Sequence, residues 1–528
     1  MRDFSFPGRS SIIAKNAMIA TSHPIATAHG LCCLAQGGSA IDAALCASAT
    51  LTLAEPHMTG IGGDCFALVK PTPQSQIIAI NGSGYAPQQS NLNAIQKKCG
   101  ATIPALSPHA VTIPGAINAW WKLHQKYGKL DWEQIFQPAI KLASDGVAIH
   151  ERVAFDWSQA VEKLHFDQTT QNLYLKNGDA FKWGDVFANP KLAKTYRHIA
   201  KHGSDGFYKG WVCDDLLTKL TKMGGLHQES DFSGYEAQFV TPIKASYKDF
   251  TLWECPPNGQ GVTALAMLKI IERFDLKTIP PIDYIHLMAE AGKLAYQIRD
   301  QWLGDTQNGQ KLVDQMLDPH LIKKLAGQIN FSKTLPFAPS DFPTHQDTIY
   351  LSVVDQDGMA ISFINSIFDS FGSAITAPES GILLHSRGRS FKLEEGHPNA
   401  IAPLKRPLHT IIPAMVANDL EYPSDPLPFG VMGGQYQAFG HAHLISNIAD
   451  KGLDIQNAIN APRAFSYDGF LELESGHDKS VYHALTKRGH RIHYPAQPIG
   501  GAQAIMRNKQ GFLIGASDPR KDGMAAGF

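Results

Sequence analysis

The chain lacks any imbalance of charge. Its 528 residues include 47 lysines and arginines against 48 aspartates and glutamates, a formal net charge of −1. That removes the electrostatic case for nucleic acid or a membrane surface as the main partner, and leaves small-molecule chemistry as the expectation. Cysteine is sparse. Cys32, Cys33, Cys46, Cys65, Cys99, Cys213 and Cys255 are an odd number, none follows Cys255, and no CxxC zinc spacing occurs. The pattern predicts reduced, mostly buried thiols in a reducing compartment. The histidines show no metal-ligand spacing, so no metal is expected. Long hydrophobic runs are missing too. The opening "MRDFSFPGRSSIIAKNAMIATSHP" holds no apolar stretch long enough for a signal-peptide core, and no window approaches the ~18 apolar residues of a spanning helix. A soluble, cytoplasmic protein is expected, without internal repeats or low-complexity tracts.

What is present is material for a large core: 44% of residues are hydrophobic and 18% charged, enough for one big domain or several. "HPIATAHGLCCLAQGGSAIDAALCASATLTLAEP" reads as two helices. The first runs from about Ala26 to Gln36 and stops at Gly37-Gly38; the second is capped by Ser39 and ended by Pro56. "MTGIGGDCFALVK" is a glycine-rich turn into a strand, and "QIIAINGSG" its partner. Its Gly60 to Asp64 portion invites a phosphate-loop reading, but it lacks the lysine and precedes a strand, so packing is the expectation. From about Pro108 to Gly225 the spacing is mostly helical. Helices also follow "PPNGQG" and Pro280-Pro281. The three-proline run "FSKTLPFAPSDFPTHQD" reads as an exposed linker. After it come the strands "TIYLSVVD", "MAISFI", "TIIPAMVA" and "FGVMGG", a helix "GHAHLISNIADKG" and a hairpin "AQAIMRNKQGFLIGAS". Helices on both sides of strands predict a layered architecture.

The chemistry-bearing feature is Asp347-Thr348, a pair placed where the proline-rich run meets a strand. A threonine hydroxyl is a weak nucleophile and needs a base. One solution is the residue's own α-amine, freed by cutting the chain just before it. Such an amine titrates near ~8, so much of it is a neutral base at physiological pH. Thr348 opens a strand after a loose segment, as that chemistry requires. Acyl transfer also needs oxyanion donors. Gly433-Gly434 ends the strand "FGVMGG", and backbone N–H groups at glycines can approach a carbonyl oxygen because no Cβ intervenes. The plain alternatives are a strand residue for Thr348 and a bulge or strand end for the glycines.

The chain resembles the γ-glutamyltransferase family of N-terminal-nucleophile hydrolases along nearly its whole length. The stretches that carry the resemblance are "GGSAIDAALCASATLTLAEPHMTGIGGDCF", "AVTIPGAINAWW", "PPNGQG", "DTIYLSVVDQDGMAISFINSIFDSFGSAI", "ESGILL", "NAIAPLKRPLHTIIPAMV", "VMGGQ" and "GASDPR". The resemblance implies an α+β fold, a four-layer αββα sandwich, and a precursor that cuts itself between Asp347 and Thr348. Residues 1–347 would form a large subunit and 348–528 a small one, intertwined in one domain. It further implies Thr348 as nucleophile, Ser366 as a hydroxyl supporting its amine, and Gly433 and Gly434 as oxyanion donors, with no cofactor.

The departures concern substrate. Family transpeptidases hold the glutamyl α-carboxylate with an arginine after an Ala-Pro pair; in "YAPQQSNLNAI" that place falls near Asn91 or Leu92. They hold the α-amine with an aspartate before a Phe; in "HSRGRSF" Ser390 stands there, with Arg387 and Arg389 close by. A serine pair after "KRP" becomes His409-Thr410, and the lid segment shortens to "KLEEGHPNAIAPL". Arg387, Arg389, Ser390, His409 and Thr410 are therefore the candidate substrate contacts, against readings as solvated charges or core side chains. The pattern is similar to the branch with oxamate amidohydrolase-like and cephalosporin acylase-like members. The expected activity is hydrolysis of a small acidic amide of the oxamate kind, with water or an amine resolving the acyl-enzyme. The alternatives are a γ-glutamyltransferase or glutathione hydrolase with a different clamp, and a non-catalytic binding protein that kept the fold.

Overall fold

Strand Ile349–Val354 is buried at every position, because each of its faces meets a different layer. Tyr350 and Val354 point to one core, with Met18, Phe66, Ile364, Met415 and Met432. Ile349, Leu351 and Val353 point to another, lined by helices. A period of two with apolar residues on both faces leaves no polar alternation to read. The computed structural model describes residues 8–306, 308–336, 342, 348–418 and 425–528. Asp347 and most of the proline-rich run lie outside the described residues.

Two seven-stranded sheets form the centre. One runs Ile12–Ala14, Leu513–Ser517, Gly501–Arg507, Leu427–Met432, Ala414–Asn418, Phe250–Glu254, Ile243–Tyr247. The other runs Met524–Gly527, Met18–Thr21, Ile349–Val354, Ala360–Ser366, Asp64–Lys70, Ile78–Gly82, Gln238–Val240. Neighbours in both are antiparallel. The sheets pack face to face, and the outer face of each carries helices. Ala40–Ala54 and Ala116–Tyr127 cover the second sheet; Gly261–Ile271, Pro281–Trp302 and Tyr436–Ala449 cover the first. This is the expected αββα sandwich. No described helix is long and apolar enough to cross a membrane, and all seven cysteines are free.

Local signals mostly act as read. Ser39 caps Ala40–Ala54, its side chain and that of Asp42 satisfying each other's backbone N–H groups. The first helix starts earlier than expected, at Pro24, where the ring's fixed φ suits the first turn and His23 caps it. One strand is shorter than expected. "TIIPAMVA" pairs only from Ala414, since Pro413 has no N–H and Gln437 takes the Ile412 N–H at 3.0 Å. A small third sheet, Ala464–Tyr467, Phe470–Leu473 and Ile492–His493, was not foreseen.

Candidate active site

Register builds the site. Ile349 pairs with Asn365, which puts Thr348 beside Ser366 one strand over. Ser366 in turn pairs with Asp64 on the next strand. Three side chains thus stand level at the ends of three adjacent strands. The Thr348 Oγ1 hydroxyl donates to Ser366 Oγ at 3.0 Å, and the Phe368 N–H donates to the same oxygen at 3.0 Å. The Thr348 backbone N–H faces Met58 Sδ at 3.3 Å. Close approach here needs glycine at 63: a Cβ there would lie 2.3 Å from the Ser366 carbonyl oxygen.

Asp64 is the hub. Its Oδ2 accepts from Arg387 Nε at 3.2 Å and His409 Nε2 at 3.0 Å, with His385 Nδ1 also 3.2 Å away. Its Oδ1 accepts from the Gly84 N–H at 3.1 Å. All four side chains are fully buried. Burial alone would push the Asp64 carboxyl up; the two histidines facing it instead hold it well below the usual range. His409 receives the Ile411 N–H on Nδ1, so its proton sits on Nε2, facing Asp64. Burial, and then the Arg387 charge, lowers its pKa to about 3, leaving it neutral. Burial lowers Arg387 to about 10, with Asp64 opposing that shift, so the guanidinium stays charged. It donates to Thr410 Oγ1 at 3.0 Å and lies 3.4 Å from Ser366 Oγ. Its charge therefore reaches the hydroxyl that contacts Thr348.

The Gly433-Gly434 turn follows strand Leu427–Met432 of the facing sheet. Ser352 Oγ meets the Pro428 carbonyl at 3.2 Å, and a Cβ on Gly430 would strike the Tyr350 ring. Gln260 Nε2 ties the turn to the hub, 2.8 Å from the Thr410 carbonyl and 3.4 Å from that of Gly434. Gly433 and Gly434 have φ of 124° and 55°, and a Cβ on Gly433 would lie 2.7 Å from Gly500 Cα.

The structure thus gathers Thr348, Ser366, Arg387, His409 and Thr410, and brings the turn up to them through Gln260. Ser390 and Arg389 sit differently. The Ser390 hydroxyl faces the Arg387 and Leu408 carbonyls at 2.8 and 2.9 Å, holding the loop rather than opening into a cavity. Arg389 pairs with Asp369 at 2.9 Å and is partly exposed. Asn91 caps helix Leu92–Cys99, its side chain accepting the Ala94 N–H at 2.9 Å; Leu92 packs on an apolar cluster. Asp64, His385 and Gln260 were missed. The signal for Asp64 was an acid opening a strand that is otherwise apolar but for its final lysine, in the stretch read as mere packing.

An antiparallel αββα sandwich with a hydroxyl poised at a strand end is the N-terminal-nucleophile hydrolase class. Residues 26–528 match the gamma-glutamyltranspeptidase family model, and the chain belongs to that family. It is 31% identical to a glutathione hydrolase-like proenzyme of Bacillus subtilis, over 98% of this chain and 99% of the relative. It is 32% identical to an oxamate amidohydrolase proenzyme of Klebsiella pneumoniae, over 98% of this chain and 100% of the relative. Among solved structures, a cephalosporin acylase from Bacillus halodurans superposes with a TM-score of 0.91 at 33% identity, covering 100% of this chain and 99% of that one. The chain is an amide hydrolase of this family, not a binding protein that kept the fold.

Proposed function

We propose that the chain matures by breaking the Asp347–Thr348 bond and then acts as an N-terminal-threonine amidohydrolase on a small acidic amide of the oxamate type. The observation that carries this reading is the 3.0 Å Thr348–Ser366 hydroxyl contact, at the level ends of neighbouring strands. Thr348 Oγ1 attacks the preceding carbonyl, and water hydrolyses the resulting ester. The freed α-amine then takes the hydroxyl proton while Oγ1 attacks a substrate carbonyl. Gly433 and Gly434 N–H groups receive the oxyanion, the C–N bond breaks with the proton passed to the departing nitrogen, and water or an amine resolves the ester. The halves before and after the cut remain one body, because each supplies strands to both central sheets. The proenzyme names of the relatives support this maturation. A reducing, cytoplasmic location is part of this proposal.

The substrate reading rests on what the site offers. The Ser390 hydroxyl is engaged by backbone carbonyls, and Asn91 by a helix end. A glutamyl head would lack two charge-assisted contacts, worth ~1.5–3 kcal/mol each. Recognition of a γ-glutamyl head should be at least about a hundredfold weaker than in a site that makes both contacts, if both losses add, and hydrolysis of oxamate should exceed that of a γ-glutamyl anilide in kcat/KM. A panel of γ-glutamyl amides, oxamate and aryl-acyl β-lactams on matured protein tests this. Efficient γ-glutamyl transfer with no activity on acidic amides would overturn it in favour of a glutathione hydrolase, the reading to which the Bacillus subtilis relative's name points.

The oxyanion turn has its own test. Gly433→Ala places a side chain at φ 124° and against Gly500, so the N–H must swing away. We expect kcat to fall by about 10²–10³ in matured protein. Wild-type kcat in that variant would remove the turn from the mechanism.

A further inference from the structure

A cavity of about 310 Å³ opens beside Gly433, and its far wall is the small third sheet. Register decides what that wall presents. Phe465 pairs with Glu472, Tyr467 with Phe470, and Glu472 with His493. Because side chains alternate along a strand, these five share one face, and all five line the cavity. Phe465 and Tyr467 stack with centroids 5.4 Å apart and planes 9° apart. The Tyr436 ring from the opposite wall meets Phe465 edge-on at 5.3 Å. Phe470 hangs half-exposed at the mouth. The near wall is the Gly433 and Gly500 backbone together with Gln435, Tyr436 and Ile499.

The lining carries two carboxylates, with Gln435 and the His493 imidazole beside them. Glu472 is half-buried beside the rings, and burial raises its carboxyl above the usual range. Among the described residues it has no hydrogen-bond partner; His493 Nδ1 stands 3.9 Å away. Asp468, at the hairpin turn, adds a second acid to the lining. A half-buried carboxylate beside flat rings, with no hydrogen bond of its own and its nearest partner a histidine nitrogen 3.9 Å away, suits a ligand with an aromatic face and a cationic nitrogen. It repels an acidic acyl group.

We propose that this cavity is a substrate subsite for an aromatic limb that carries its own ammonium group, attached beyond the scissile nitrogen of an N-substituted acidic amide and opposite the acidic acyl limb; oxamate itself, which releases ammonia, leaves it empty. The assignment of limbs rests on Gly433 serving the oxyanion, as proposed above; the binding of an aromatic cation does not.

Calorimetric titration of matured wild-type protein with 2-phenylethylamine tests it, with no acyl donor present. We expect one saturable site. Glu472→Gln should raise the dissociation constant at least about tenfold, through loss of a charge-assisted contact. Phe470→Ala, at a half-exposed position that leaves the fold intact, should also weaken it. 3-Phenylpropanoate, the same ring with a carboxylate, should show no saturable binding. Equal amine affinity in Glu472→Gln, absence of saturable amine binding, or equally tight phenylpropanoate would overturn the proposal. Binding is read without turnover, so the two readings fail separately. Amide hydrolysis without amine binding sinks the subsite alone, and amine binding in a protein inert on the whole amide panel sinks the proposed activity alone.

Discussion

Thr348→Ala is expected to remain one chain of 528 residues on a denaturing gel and by intact mass, and to lose turnover by at least about 10⁴-fold. The loss is this large because one side chain serves twice. In the proposed mechanism its Oγ1 attacks the preceding carbonyl during maturation, and the cut then creates the amine that activates the same oxygen. Alanine at a fully buried position removes only the hydroxyl and one methyl, so the fold should persist. Thr348→Ser keeps the oxygen and should still mature. Ser366→Ala separates the two stages further. It removes the acceptor 3.0 Å from Oγ1 without touching the nucleophile, so it should slow maturation yet leave some two-chain protein. A wild-type chain that stays whole and is nonetheless active would refute the self-cutting mechanism.

Asp64→Asn is expected to cost about 3–5 kcal/mol of stability, the range for breaking a buried ion pair from one side. The mutation keeps shape but leaves the Arg387 guanidinium buried without its carboxylate. The same cluster sets an acid limit. His409 stays neutral when folded, with a pKa of about 3, against ~6.5 when unfolded. Below about pH 6.5 the unfolded chain therefore binds the extra proton, and stability falls as pH drops toward 3. Asp64 is depressed when folded, so its share is present above about pH 4 and is lost below it. Each group contributes a slope of up to roughly 1.4 kcal/mol per pH unit. Urea unfolding at pH 7, 5.5 and 4.5 should show the first slope in wild type and a shallower one in His409→Asn. A flat profile across that window would mean that His409 is not buried neutral. In Asp64→Asn, loss of maturation exceeding loss of stability would identify the carboxylate as the group that positions Arg387 against Ser366.

Much of this protein was decided locally. The Ser39 cap, the stops at Gly37 and Pro56, the helical stretch after Pro108 and the hairpin around Gly358 follow from short-range rules, and they appear where the residues place them. The family resemblance and the pairing of Thr348 with Ser366 were also within reach, because a two-stranded hairpin sets its own register. The hub was not. Asp64 and His385 are separated by more than three hundred residues of chain, and only the sheet register brings the strand of Ser366 between Thr348 and Asp64. Read singly, Arg387 is a surface charge and Ser390 a polar contact. Their burial follows from the two sheets packing face to face, which excludes water from the strand ends and leaves each charge and hydroxyl to find a partner within the protein. The aromatic cavity has the same origin. Phe465, Glu472 and His493 come from three strands with no shared pattern in the chain, and they share a face because hydrogen bonding between those strands aligns them.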